Sequence, residues 1–159
     1  MDELAPTIEA KSDSRKASFA ARRGRTPGEY HVLLSLPNAG DWKLTIISGF
    51  GPSKVTLLPI RTIEPGAPAP AALSGFDRGH RLFVAKGCAM CHAHAKVPGS
   101  GAVKAGPDLT VPRLGSDYLK KFLADPSITP PRGDMRMPNL HLDEREIHAL
   151  VAFINQERP

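Results

Sequence analysis

Cys88-Ala89-Met90-Cys91-His92 constrains this chain more than any other stretch. Two thiols separated by two residues and followed at once by an imidazole form the attachment signature of a c-type haem. On one helical turn and its approach, both sulfurs reach the two vinyl groups along one edge of a porphyrin. The thioether bonds then hold the ring so that His92 meets the iron from one face. The chain has no other cysteine, so both thiols are consumed by this motif, and one covalent haem c is the expected cofactor. The other uses of such a pair each need more. A redox disulfide needs a βαβ context, which the pattern lacks. Half a zinc site needs a second ligand pair, and His92 and His94 stand two apart, which suits neither a zinc finger nor one helix face. A structural disulfide across two residues is short and strained.

The chain's aromatic content, 6%, is thin beside its 41% hydrophobic residues, and a porphyrin would supply the missing apolar plate. The net charge of +5 divides into +2 up to Gly66 and +3 beyond it. That mild balance fits docking to acidic redox proteins. It is not a nucleic-acid footprint, since no basic stripe with interleaved aromatics occurs; Arg22-Arg23-Gly24-Arg25 reads as a solvated turn. No apolar run approaches the roughly 20 residues of a membrane helix. The start, Met1-Asp2-Glu3-Leu4, has no apolar signal core. Haem attachment of this kind is completed outside the bacterial cytoplasm or in an organelle equivalent. We therefore expect a periplasmic or otherwise extracytoplasmic protein whose export signal or membrane anchor was removed or lies upstream.

Hydrophobic periodicity divides the chain into two modules: residues 1–63, a small antiparallel β-sandwich-like accessory module, and residues 74–159, an all-α domain folded around haem. Residues 1–16 are polar and without period, and read as a mobile or edge segment. A strand is expected near Ser18–Arg22. Tyr30, Val32, Leu34 and Leu36 then alternate with His31, Leu33 and Ser35. Trp42, Leu44 and Ile46 share a face, and Val55 and Leu57 begin a strand that runs toward Ile63. Turn clusters at Pro37–Asp41 and Gly49–Ser53 separate them. Four strands are few for a sandwich, so we expect missing strands upstream. Gly28–Pro37 followed by Gly40-Asp41-Trp42-Lys43-Leu44 resembles the YtkA-like, immunoglobulin-like β-sandwich family, which implies an extracytoplasmic accessory domain. Residues 64–73 are a Pro/Ala linker, in which prolines deny ladder and helix hydrogen bonds and alanines offer little to pack.

Three helices are expected in the second module. Phe76 to Lys86 carries Phe76, His80, Phe83 and Val84 at helical spacing. Ser116-Asp117 caps Tyr118 to Ala124, which stops at Asp125-Pro126. Asp143-x-x-Glu146 is a capping-box variant opening a helix with an Ile147, Leu150, Val151, Ile154 stripe.

Five motifs in order, Gly79-x-x-x-Phe83, Cys88-x-x-Cys91-His92, Gly106-Pro107-Asp108-Leu109, Met137-Pro138 and Leu142-Asp143-x-x-Glu146-Ile147, resemble a class I, mitochondrial-type cytochrome c domain. The resemblance covers residues 76–156. Gly87 departs from it, leaving five steps from Phe83 to Cys88. The resemblance implies a cofactor set of Cys88, Cys91, His92, Pro107, Leu109 and Met137, with His92 and Met137 as iron ligands. It implies that the Pro107 carbonyl accepts the other ring N–H of His92, that Gly79 lets the first and last helices cross closely, and that Phe83 and Phe153 meet there. Met135 competes with Met137, and His141 is a further candidate. Met90 and His94 lie on the attachment side, and His148 reads as surface or core. Lys86, Lys96, Lys104, Arg132 and Arg136 are candidates for the rim of an exposed haem edge.

Thioether sulfur favours ferrous iron, and a metal closed on both sides has no site for oxygen chemistry. The expected function is one-electron transfer, without catalysis of its own, as a domain or subunit of an extracytoplasmic respiratory or oxidoreductase chain. The alternative is a haem-based sensor in which a small molecule displaces Met137, motivated by the Pro/Gly-rich stretch Thr129–Pro138.

Overall fold

A computed structural model describes residues 4–13, 15–103, 105–111, 114–129 and 136–156. The chain divides into two compact units, Met1–Ala71 and Ala72–Pro159.

The first unit is built on an antiparallel sheet. Its strands are β1 (Thr7–Lys11), β2 (Lys16–Ala20), β5 (Gly40–Ile47), β6 (Lys54–Thr56) and β7 (Ile60–Thr62). They run in the order β2-β1-β5-β6, with β7 also on β5. A two-stranded ribbon joins β3 (Arg22–Arg23) to β4 (Tyr30–His31). The pleat sends alternate side chains to opposite faces. One face carries Ala10, Trp42 and Leu44, all buried, with Ile8, Phe19, Leu57 and Ile60 packed around them. Trp42 Nε1–H donates to the Asn38 carbonyl at 3.1 Å, which satisfies the polar end of a ring that is only 1% exposed.

Three expectations for this unit are corrected. Residues 1–16 are not merely an edge segment. Thr7–Lys11 is an interior strand, paired with β2 on one side and β5 on the other. Its polar residues Glu9 and Lys11 face water while Ala10 fills the core, a pattern too short and too small-sided to read as period two. The expected strand from Tyr30 to Leu36 forms a ladder only at Tyr30–His31. Beyond it the alternation persists without pairing: Leu34 and Leu36 pack on the sheet's apolar face, while Leu33 is 91% exposed. The layer opposite the sheet therefore includes an unpaired segment, where a sandwich would have a ladder. The strand toward Ile63 is broken in two. Both halves pair with β5, but the register slips by one residue across Leu58-Pro59. Pro59 cannot donate to a ladder, so the irregularity falls there.

Of the expected linker, Glu64–Ala67 forms a turn closed by Ala67 N–H donating to the Glu64 carbonyl at 3.0 Å. Its residues are exposed and make no ladder.

The second unit carries α1 (Gly75–Ala85), α2 (Cys88–Cys91), α3 (Ser116–Ala124) and α4 (Glu144–Ile154), with a 3-10 turn at Pro126–Ile128. It is only partly helical, because long connections run between these helices. Ser74 caps α1, its hydroxyl accepting from Asp77 N–H. Asp143 and Glu146 form a complete reciprocal capping box on α4. Ser116 is the first residue of α3 rather than its cap, and Gly115 stands in the cap position without a side-chain bond. The core gathers Phe83, Leu109, Leu119, Leu123, Ile147, Leu150, Val151, Phe153 and Ile154.

Candidate functional site

The end of α1 sets up the Cys88–His92 segment. Lys86 closes the helix with its N–H on the Leu82 carbonyl, and Gly87 follows in the left-handed region at φ 78°. A glycine there turns the chain sharply at no steric cost. The residue that departs from the family spacing thus ends one helix and starts the next. The following turn, Cys88–Cys91, places both thiols on α2, half-buried and free. Burial pushes the Cys88 thiol up to about 11, helped by the neighbouring Cys91.

His92 leaves α2 in an extended conformation, φ −106° and ψ 126°. Its Nδ1 lies 3.0 Å from the Pro107 carbonyl oxygen. A carbonyl only accepts, so Nδ1 carries the proton and Nε2 keeps its lone pair. Gly106 makes this approach possible. A Cβ there would fall 2.3 Å from His92 Cε1, so any side chain would expel the ring. Two backbone bonds flank the contact. Gly106 N–H donates to Cys91 O at 3.0 Å, and Leu109 N–H donates to Ala93 O at 2.9 Å. Asp108 accepts from Thr110 N–H at 2.7 Å, and hydrogen bonding from the Thr110 hydroxyl, seconded by that N–H, holds its carboxyl below the usual carboxylate range.

Behind this segment, α1 crosses α4 closely. A Cβ on Gly79 would lie 1.9 Å from the Ala149 carbonyl oxygen. Phe83 and Phe153, 1% and 0% exposed, meet with ring centroids 5.3 Å apart. Lys86 at the end of α1 pairs with Glu146 at 2.7 Å, so it is tied to α4 and does not stand as a free rim charge.

Two imidazoles enter the same crossing. His94 is 3% exposed and stacks on Phe153 at 4.3 Å. His80 stacks on Phe153 at 5.0 Å. Burial lowers the pKa of both, seconded by Arg81 for His80 and by His80 for His94. Each leaves a buried Nε2 without a hydrogen-bond partner among the described residues. Sequence reasoning placed His94 on the attachment side and went no further. It likewise quoted Gly106 within a motif without a role. An imidazole two residues past His92 and a glycine just before Pro107 were the available signals.

Among the expected site residues, Cys88, Cys91, His92 and Pro107 are thus brought together. Leu109 is buried in the core, and Met137 packs half-buried against the same core as Cys88 and Ala89. His141 is exposed at φ 49°, its N–H donating to Asn139 Oδ1. His148 and Met90 are exposed. Met135, Lys104 and Arg132 lie outside the described residues. Among the described residues, no group of three or more His, Cys, Asp or Glu side chains could hold a bare metal ion. The donor set suits a haem instead: two free thiols on one turn, then an imidazole fixed through Nδ1 with Nε2 spare.

Residues 76–157, just over half of the chain, match the cytochrome c family. The chain belongs to the cytochrome c family, whose members bind haem c and transfer electrons rather than catalyse. No curated protein and no solved structure matches the chain.

Proposed function

We propose that this protein is an extracytoplasmic one-electron carrier in which His92 and Met137 hold the iron of one haem c tethered through Cys88 and Cys91. The observation that carries the reading is the His92–Pro107 contact in the Gly106 cradle, immediately after the two-cysteine turn. When bound, the haem supplies a metal that exchanges one electron between its ferrous and ferric forms. The chain's own residues do the rest. The sulfurs of Cys88 and Cys91 would tether the haem to α2. The Pro107 carbonyl holds the Nδ1 proton, which fixes the imidazole's orientation and raises the basicity of Nε2. The thioether of Met137, held against the common core, is a soft donor that favours the reduced metal. Pro138 stiffens the chain that presents it. The second unit's positive balance suits an acidic redox protein as partner. The first unit, through its YtkA-like resemblance, is read as an accessory module that seats the carrier on a larger respiratory or oxidoreductase assembly.

The test is a visible spectrum of the purified protein, with and without dithionite, for wild type and Met137→Ala. Wild type should be low-spin and should resist carbon monoxide at neutral pH. The variant should have a lower potential and bind carbon monoxide. A variant spectrum identical to wild type moves the ligand to Met135 or His141. Ready carbon monoxide binding by wild type favours the sensor.

A further inference from the structure

His94 is a costly choice for its position if packing were its only task. Its ring is wedged beside Phe83 and Phe153, where an aliphatic side chain of similar volume would pack without a polar atom. Its Nε2 is buried with no partner among the described residues. Buried polar groups without partners are uncommon and call for a reason. The other nitrogen supplies one. Nδ1 lies 3.1 Å from the Lys96 backbone nitrogen. A backbone N–H only donates, so Nδ1 is the acceptor and the proton sits on Nε2. The orphaned Nε2–H is therefore the consequence of using Nδ1.

What this secures is the segment that carries His92. Residues 91–93 are stitched to residues 106–109 by the Gly106–Cys91, His92–Pro107 and Leu109–Ala93 bonds. His94 comes next and roots that segment in the α1–α4 crossing. From there the chain turns back: Val97 N–H donates to the His94 carbonyl, and Ser100 Oγ bonds both the N–H and the carbonyl of His94. Gly101 N–H then donates to Ala89 O, returning the loop to α2. His94 thus closes a loop that begins and ends on the haem-attachment turn.

We propose that His94 is a positioning residue for His92: its Nδ1 bond to Lys96 locks the 94–101 loop, and through it the register of the His92–Pro107 hydrogen bond. The proposal deepens the reading of His92 as an iron ligand and rests on it for its functional meaning. The geometry it asserts can be measured separately. Two variants divide packing from hydrogen bonding. His94→Val keeps an aliphatic side chain between the phenylalanines and removes the acceptor. His94→Asn removes the ring but keeps an oxygen at the position of Nδ1, able to accept from Lys96.

The measurement is solvent exchange of the His92 Nδ1–H by proton NMR in the protein as purified, beside the melting temperature. His94→Val should melt no lower than wild type, yet exchange that proton about five- to tenfold faster, the rise in local opening expected from losing one hydrogen bond. His94→Asn should melt lower and exchange at close to the wild-type rate. Exchange unchanged in His94→Val, or exchange that follows the melting temperature across the three proteins, would overturn the proposal. The Nδ1–H exists with or without iron. A protein that proves to lack His92-ligated haem in its visible spectrum refutes the functional reading and leaves this measurement to decide the geometry.

Discussion

Gly79→Ala tests how tightly the second unit depends on one helix crossing. The added methyl carbon would sit 1.9 Å from the Ala149 carbonyl oxygen and 2.7 Å from both Ala149 C and Phe153 Cβ. Carbon and oxygen settle at about 3.3 Å, so α1 and α4 must part by on the order of 1 Å. A gap of that size forfeits roughly a quarter to a half of the attraction in each contact across it. Overpacking costs about 1–3 kcal/mol, and a clash against backbone belongs at the upper end. Alanine's better helix propensity returns about 1 kcal/mol. The net loss is about 2 kcal/mol, which in a unit of this size lowers the melting temperature by roughly 8–16 °C. Gly75→Ala is the control within the same helix. Its Cβ would meet Ala152 Cβ at 3.6 Å, ordinary contact, so it should be neutral or stabilising by about 0.5 kcal/mol. Thermal unfolding followed by far-ultraviolet circular dichroism reads both. A Gly79→Ala protein that melts with wild type would refute the argument from close approach.

Three further outcomes are expected. Asp143→Ala removes the side chain that accepts from Glu146 N–H and should cost about 1 kcal/mol, measured by urea unfolding. In haem-free protein, Cys88 should alkylate slowly at pH 7–8 and accelerate as the pH rises toward about 11, because only the thiolate reacts; mass spectrometry of iodoacetamide-treated protein resolves this. Trp42→Ala empties the core of the first unit and should cost about 3–5 kcal/mol there, while the visible spectrum stays unchanged.

Legibility in the sequence followed the range of the interaction. The capping box at Asp143 and Glu146 is a local pattern, and both halves of it form. The end of α3 at Asp125-Pro126 was equally plain, since proline announces its own boundary. The alternation of Trp42 and Leu44 reads directly because large apolar residues alternate with the polar Asp41, Lys43 and Thr45. Thr7–Lys11 was missed because its one fully buried residue is an alanine, which carries almost no periodic signal, and Ile8 is the only large apolar residue beside it. The loss of pairing after His31 depends on where Leu34 and Leu36 find apolar surface, a tertiary matter. At the site, the Cys88–His92 spacing is legible because both thiols and the imidazole fall within five consecutive residues. The burial of His94 is not, because it depends on α1 and α4 arriving from opposite ends of the unit.

That last arrangement bears on the order of assembly. The crossing joins the beginning of the unit to its end, and Glu146 serves both: one carboxylate oxygen receives the Asp143 N–H while the other takes the Lys86 ammonium. A chain emerging amino end first exposes its two thiols long before α4 exists to close over Phe83. A reagent for the two thiols therefore meets an open, unlatched polypeptide, and arrival of the final helix shuts the door behind it.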